Sequence, residues 1–249
     1  MRFRFHVLPY MVTALLFFLI LPSGSNGQMQ QSRFSGGQAL IRENSFDFGK
    51  VPQRAKVSKI FYVINEGTDT LEILKIKPGC GCTKAPVTDR LVAPGDSTII
   101  EIIFSSGRRR GTWAKSTQVF TSDLLQGVSK LRFSAQVYPE GSPTTPILAE
   151  PTIVETMTDL TDSTYEVSLK NLTMAPLGVS LAYTDDEYLD ITVPKKNIEP
   201  GERANVKIRI KDDRTRKSFQ KSFTLQIDDA KSSRLSIPVR VYSTNAAEQ

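Results

Sequence analysis

The feature that most constrains this chain is an internal repeat. Asn65 is matched by Asn171, Ala93-Pro94-Gly95-Asp96 by Glu199-Pro200-Gly201-Glu202, and Lys115-Ser116 by Lys221-Ser222, each pair at an offset of 106 positions. Self-similarity at a fixed spacing means one supersecondary unit used twice. Each unit is long enough to bury a core of its own. The alternation within each unit is that of strands. Val57 to Asn65 places Ile60, Tyr62 and Ile64 on one face, and Leu131, Phe133, Ala135 and Val137 alternate with polar neighbours. Further strands are expected over Leu40 to Phe48, Leu71 to Ile76, Ser97 to Phe104 and Thr112 to Thr121. The second unit presents Val206, Ile208 and Ile210, then Phe223, Leu225 and Ile227, then Leu235, Ile237, Val239 and Val241 as its core face. No helix longer than two turns is expected. Seven or so short strands in about 100 residues, twice, predict an all-β chain of two tandem immunoglobulin-like sandwiches. The boundaries read as 39–138 for the first domain and 147–243 for the second. Between them lies a Pro-rich linker, 139–146, stiffened by three prolines.

The N-terminus reads as a secretion signal. Arg2 and Arg4 precede the apolar run Met11 to Leu21, and Ser25 and Gly27 suit the −3 and −1 positions of a cleavage site before Gln28. Residues 1–27 are therefore expected to be removed, leaving a flexible segment at 28–38 and a short tail at 244–249. The apolar run is too short for an ordinary membrane span, and no cysteine near the cleavage site offers a lipid anchor. The expected location is the periplasm, outer envelope or exterior of a bacterium.

Cleavage has a chemical consequence. The chain holds one histidine, His6, inside the signal. The mature protein then has no imidazole for a catalytic triad, a zinc site or a switch near neutral pH. Neither a Gly-rich phosphate loop nor a convergent acid–base cluster is seen, so no enzyme activity and no cofactor are expected. The formal charge of +6, part of which Arg2 and Arg4 contribute, is spread thinly, and nucleic acid is not an expected partner of an exported protein.

The chemical oddity is Gly79-Cys80-Gly81-Cys82-Thr83. Two thiols one residue apart leave four readings open. They can pack as small apolar groups, or form a Cys80–Cys82 disulfide in an oxidising compartment. They can hold a soft metal such as Cu(I), or act as a nucleophile or intermolecular bridge. A disulfide needs a sharp bend, for which Gly81, free to adopt positive φ, is the expected hinge. Arg108-Arg109-Arg110 is the candidate contact for an anionic partner, since guanidinium pairs with phosphate and carboxylate. Trp113 reads as a core residue. Asp185-Asp186-Glu187 and Asp228-Asp229 read as solvated turns.

Phe46-Asp47-Phe48-Gly49-Lys50-Val51, Val63-Ile64-Asn65-Glu66-Gly67, Cys80-Gly81-Cys82-Thr83 and Ala93-Pro94-Gly95-Asp96 occur in this order. Together they resemble the bacterial family called domain of unknown function 1573, over about Ala39 to Tyr138. The resemblance implies a fold similar to major-sperm-protein and PapD-type immunoglobulin-like domains, in an exported protein of the kind frequent in Bacteroidetes. It does not extend to the second unit, where Asp186 stands at the repeat position of Cys80. The expectation is a non-catalytic binding or support module of a bacterial envelope assembly, its partner another exported or outer-membrane protein. The alternatives are thiol–disulfide or Cu(I) chemistry at Cys80 and Cys82, and a glycan-binding accessory module.

Overall fold

The computed structural model describes residues 36–139, 141–142, 144–157, 164–211 and 218–242. The expected signal peptide, cleavage site and C-terminal tail lie outside the described residues, as does most of the flexible N-terminal segment. All described residues fall in one compact unit, Phe34–Gln249, and they form strands and no helix.

The first copy holds β1 (Ala39–Leu40), β2 (Ser45–Pro52), β3 (Lys56–Asn65), β4 (Leu71–Pro78), β5 (Thr83–Lys84), β6 (Leu91–Val92), β7 (Ser97–Ser105), β8 (Gly111–Thr121) and β9 (Val128–Tyr138). The second holds β10 (Ile147–Glu150), β11 (Val154–Met157), β12 (Thr164–Asn171), β13 (Val179–Thr184), β14 (Leu189–Thr192), β15 (Arg203–Ile210), β16 (Phe219–Ile227) and β17 (Arg234–Tyr242). Two four-stranded sheets, ordered β1-β3-β7-β5 and β10-β12-β15-β14, each cover one side of a sandwich. The opposing layer is continuous, a nine-stranded sheet running β13-β16-β17-β2-β9-β8-β4-β6, with β11 added alongside β17. The chain is thus two tandem immunoglobulin-like β-sandwiches that share one sheet.

The repeat is visible bond by bond. Asn65 and Asn171 are both fully buried. The side-chain amide of Asn65 donates to the carbonyls of Asp69 and Val92, each at 2.8 Å; that of Asn171 donates to Ala175 and Ile198 at 2.7 and 2.8 Å. Each asparagine also exchanges backbone bonds with its Pro-Gly turn: Gly95 N–H to Asn65 O and Asn65 N–H to Asp96 O, against Gly201 to Asn171 and Asn171 to Glu202. A buried amide with every group satisfied ties three loops together, which explains why the asparagine and the Pro-Gly turn recur as a pair.

Separate cores fill the two sandwiches. Phe48, Phe61, Phe104 and Ile102 are fully buried in the first, and Val167, Leu169, Phe223 and Ile237 in the second. The face expected from Ile60, Tyr62 and Ile64 is the outer one; Val57, Phe61 and Val63 point inward. The single strand expected over Leu40 to Phe48 is divided into β1 and β2, with each piece pairing in a different sheet. In β2, Phe46 and Phe48 share the core face, their rings 5.1 Å apart edge to face. A bulge then follows between Asp47 and Lys50. Gly49 sits there with φ +62, and a Cβ on it would lie 2.1 Å from the backbone oxygen of Arg234. Glycine is required at this point because the second copy's backbone approaches too closely for any side chain.

Candidate functional site

The end of β4 leads into the cysteine turn. Thr83 N–H donates to Cys80 O at 3.2 Å, and Ser105 N–H to Cys82 O at 2.9 Å, which seats the turn on β7. Cys80 and Cys82 are joined as a disulfide, Cα to Cα 5.2 Å. Cys82 is buried and Cys80 half-buried. The Thr83 hydroxyl lies 3.4 Å from Cys80 Sγ and 3.9 Å from Cys82 Sγ. Of the four readings of the cysteines, the structure takes the disulfide; sulfurs bonded to each other are not available to Cu(I) until they are reduced.

The hinge is not where it was expected. Gly81 is not among the positive-φ glycines, and a Cβ there would meet open space. Gly79 is the constrained position, since a Cβ on it would lie 2.5 Å from Ser116 O of β8. The turn bends by packing the chain against its neighbour strand, and the left-handed freedom of Gly81 is unused.

Trp113 is half-buried against the first core, and its indole N–H donates to Arg110 O at 3.1 Å. The Arg109 guanidinium and the Lys115 ammonium lie 5.2 and 5.4 Å from its ring. Arg109 also donates to the carbonyls of Ser105 and Ser106. Gln53 caps the carbonyls of Arg108 and Arg109. The three arginines therefore do not converge: Arg109 is folded onto its own loop, while Arg108 and Arg110 are exposed.

At the repeat position in the second copy the turn is differently built. Asp185 accepts from Tyr188 and Leu189 N–H through its carbonyl, as Cys80 does from Thr83. It was expected in a solvated turn, yet it is 2% exposed, its carboxylate 2.8 Å from Lys221 Nζ. Lys221 also reaches Glu101 of the first copy at 2.8 Å and lies over the Tyr188 ring. A charge buried this deeply requires a partner, and no run of acidic letters reveals which members are solvated. Burial pulls the Lys221 pKa down, but the hydrogen bonds and charges of Asp185 and Glu101 outweigh it and hold it above its ordinary 10.5.

This cluster sits where the copies meet. The free edge of β3 presents N–H groups at Ser58 and Ile60. The first donates to Ser222 Oγ and the second to Tyr183 Oη, each at 3.0 Å. Two side chains of the second copy thus close an edge that would otherwise be open to pairing. Burial pushes the Tyr183 hydroxyl well above its ordinary value, against the Ile60 bond. Ser236 Oγ donates to Phe48 O at 2.7 Å, and Lys50 and Arg240 donate to the carbonyls of Thr145 and Arg54. Thr144, in the Pro-rich segment between the copies, is 4% exposed.

The first copy has known relatives in sequence. Residues 40–137 match the model of the family described as "Protein of unknown function (DUF1573)". No curated protein matches the chain. Among solved structures, a protein of unknown function from Porphyromonas gingivalis W83 is similar at 12% identity and a TM-score of 0.36, over 82% of this chain and 99% of that one. PapD-like domain 7 of human CEP192 is similar at 16% identity and 0.34, over 53% and 99%. The periplasmic chaperone SfaE is similar at 15% identity and 0.31, over 83% and 100%. The motifs of the first copy have architectural parts here: Phe46 and Phe48 fill the core, Gly49 admits the second copy, Asn65 and Gly95 lock the loops, and Cys80 and Cys82 close a turn.

Proposed function

We propose that this chain is an exported, non-catalytic module that supports or holds a partner protein in a bacterial cell envelope. The observation that carries the reading is the junction. Its half-buried lysine is engaged with a buried aspartate and a half-buried glutamate, and backbone edges are capped, so the polar chemistry serves to fix two sandwiches in one orientation. A fixed two-sandwich body suits recognition and spacing. The secretion-type N-terminus and the Cys80–Cys82 disulfide favour an oxidising compartment outside the cytoplasm. The test is crosslinking in intact cells, fractionation, and capture of the tagged chain. A recurrent exported or outer-membrane protein in the envelope fraction is expected. Recovery from the cytoplasm, or no recurrent partner, contradicts the reading.

A second reading rests on Cys80 being half-buried with the Thr83 hydroxyl beside its sulfur. A partner thiolate attacks Cys80 Sγ, the bond to Cys82 breaks, and Cys82 leaves as thiolate. The partner's second thiolate then attacks the mixed disulfide, so that the partner dithiol is oxidised and Cys80 and Cys82 are reduced. Cys80→Ser abolishes oxidation of a model dithiol peptide if this reading holds, and only lowers the melting temperature if the disulfide is structural.

A further inference from the structure

The outer face of the first copy's sheet is basic at its centre and apolar at one end. Across β4, β8 and β9, Lys77 pairs in register with Gln118 and Gln118 with Lys130; one row further, Lys75 pairs with Phe120 and Phe120 with Val128. Lys75, Lys77 and Lys130 are exposed, and none of them takes part in an ion pair among the described residues. The same three strands carry a single carboxylate, Glu72. Beyond Val128 the β8–β9 loop presents Leu124 and Leu125, which are 85% and 64% exposed, and Leu74 and Leu91 are exposed on the adjoining strands.

The loop is built rather than loose. Asp123 is buried; its Oδ1 accepts from the N–H groups of Leu125 and Gln126, and its Oδ2 accepts from Ala39 N–H. These bonds hold the Asp123 carboxyl below its ordinary pKa against the opposing effect of burial. Thr121 N–H donates to Gly127 O. A loop whose Thr121, Leu125 and Gln126 N–H groups are already bonded can meet an apolar medium without stranding those donors. Leu40, Ile41 and Val128 line an adjacent groove of about 320 Å³ together with Lys130 and Arg132, a place for a phosphate-bearing headgroup.

We infer that this face docks on an anionic bilayer surface, with Leu124 and Leu125 entering the headgroup–acyl boundary and Lys75, Lys77 and Lys130 meeting lipid phosphates. Charge complementarity and two adjacent leucines exposed on one loop favour a bilayer over a soluble acidic protein, which would need the lysines alone. The site is separate from Arg108-Arg109-Arg110, which lies at the opposite end of β8.

Both cores and every strand among the described residues lie within the compact unit Phe34–Gln249. The test therefore uses this part, free of the apolar N-terminal run that would bind lipid by itself. Co-sedimentation is measured with vesicles of phosphatidylcholine alone and with added phosphatidylglycerol. Binding only to the anionic vesicles is expected. Lys75→Gln, Lys77→Gln and Lys130→Gln should each weaken it about fivefold, and the triple variant about a hundredfold. Leu124→Ser with Leu125→Ser, which leaves the charge intact, should weaken it at least about tenfold. Thermal melts confirm that these surface variants fold. No binding to anionic vesicles overturns the proposal. So does binding that the lysine changes abolish but the leucine pair leaves untouched, the behaviour of a purely electrostatic face for a soluble acidic partner.

Discussion

Two turns at equivalent places in the repeat are fixed by different chemistry. In the first copy the turn after β4 is closed by the Cys80–Cys82 disulfide. In the second the turn after β13 is closed by Asp185, paired with Lys221. The ladders fix the correspondence: Thr83 pairs with Phe104 as Leu189 pairs with Ile210. Trp113 and Lys115 of the first copy become Phe219 and Lys221 of the second, and Phe219 lies 5.0 Å from Tyr188. The difference follows from what lies beyond each turn. The second copy's turn faces the first copy, whose Glu101 gives Lys221 a second carboxylate. Among the described residues no hydrogen bond or ion pair ties the first copy's turn to the second copy, and a covalent bond holds it. A buried charge is useful where a docked neighbour helps satisfy it, and a disulfide holds a turn without that help.

The comparison can be broken most sharply at Lys221. Lys221→Met keeps the stem and leaves Asp185 buried beside Glu101 with no cation, at an expected cost of about 3–5 kcal/mol in urea unfolding. Pairing it with Asp185→Leu should restore most of that loss, and failure to do so would place the cost in packing instead. Ser222→Ala strands the Ser58 N–H at the junction, with about 1–3 kcal/mol expected in the same measurement. Cys80→Ser opens a very short loop and should cost about 1.5 kcal/mol. Its effect should be confined to the first copy, read as faster amide exchange at Thr83 and Ser105 with Ser58 and Ile60 unchanged.

The smallest effect concerns pH. Lys221 and Tyr183 both titrate above their ordinary values in the folded chain. Up to about pH 9 both stay protonated whether folded or unfolded, so their contribution is complete and constant. Above that the unfolded chain loses these protons first, and stability falls as pH rises through the folded values. A junction that loosens between pH 7 and 9 would contradict this pairing.

Much of the fold was legible in the letters. The 106-residue offset and the period-two alternation of Phe223, Leu225 and Ile227, and of Leu235, Ile237 and Val239, mark buried strands without ambiguity. The short strands β5, β6, β10, β11 and β14 left no such signal, because two to four residues cannot display a period. The junction was hidden for another reason. Ile60 and Tyr62 announced an apolar face, but whether such a face meets solvent or another module depends on contacts distant in sequence. Gly49 carried a clue, since a glycine inside a strand marks a bulge or a close backbone approach; its partner, Arg234, is far along the chain. Asp185 resembled its solvated neighbours until Lys221 was placed beside it. The lysines of the β4–β8–β9 face are dispersed in sequence and become neighbours only through strand register.

The central claim is that the shared sheet and the Lys221 cluster make two copies one body. Scanning calorimetry of Phe34–Gln249 tests it most directly. A single transition whose calorimetric and van't Hoff enthalpies agree is expected, splitting into two in Lys221→Met. Two separable transitions in the unaltered chain would contradict it, leaving two sandwiches that merely touch.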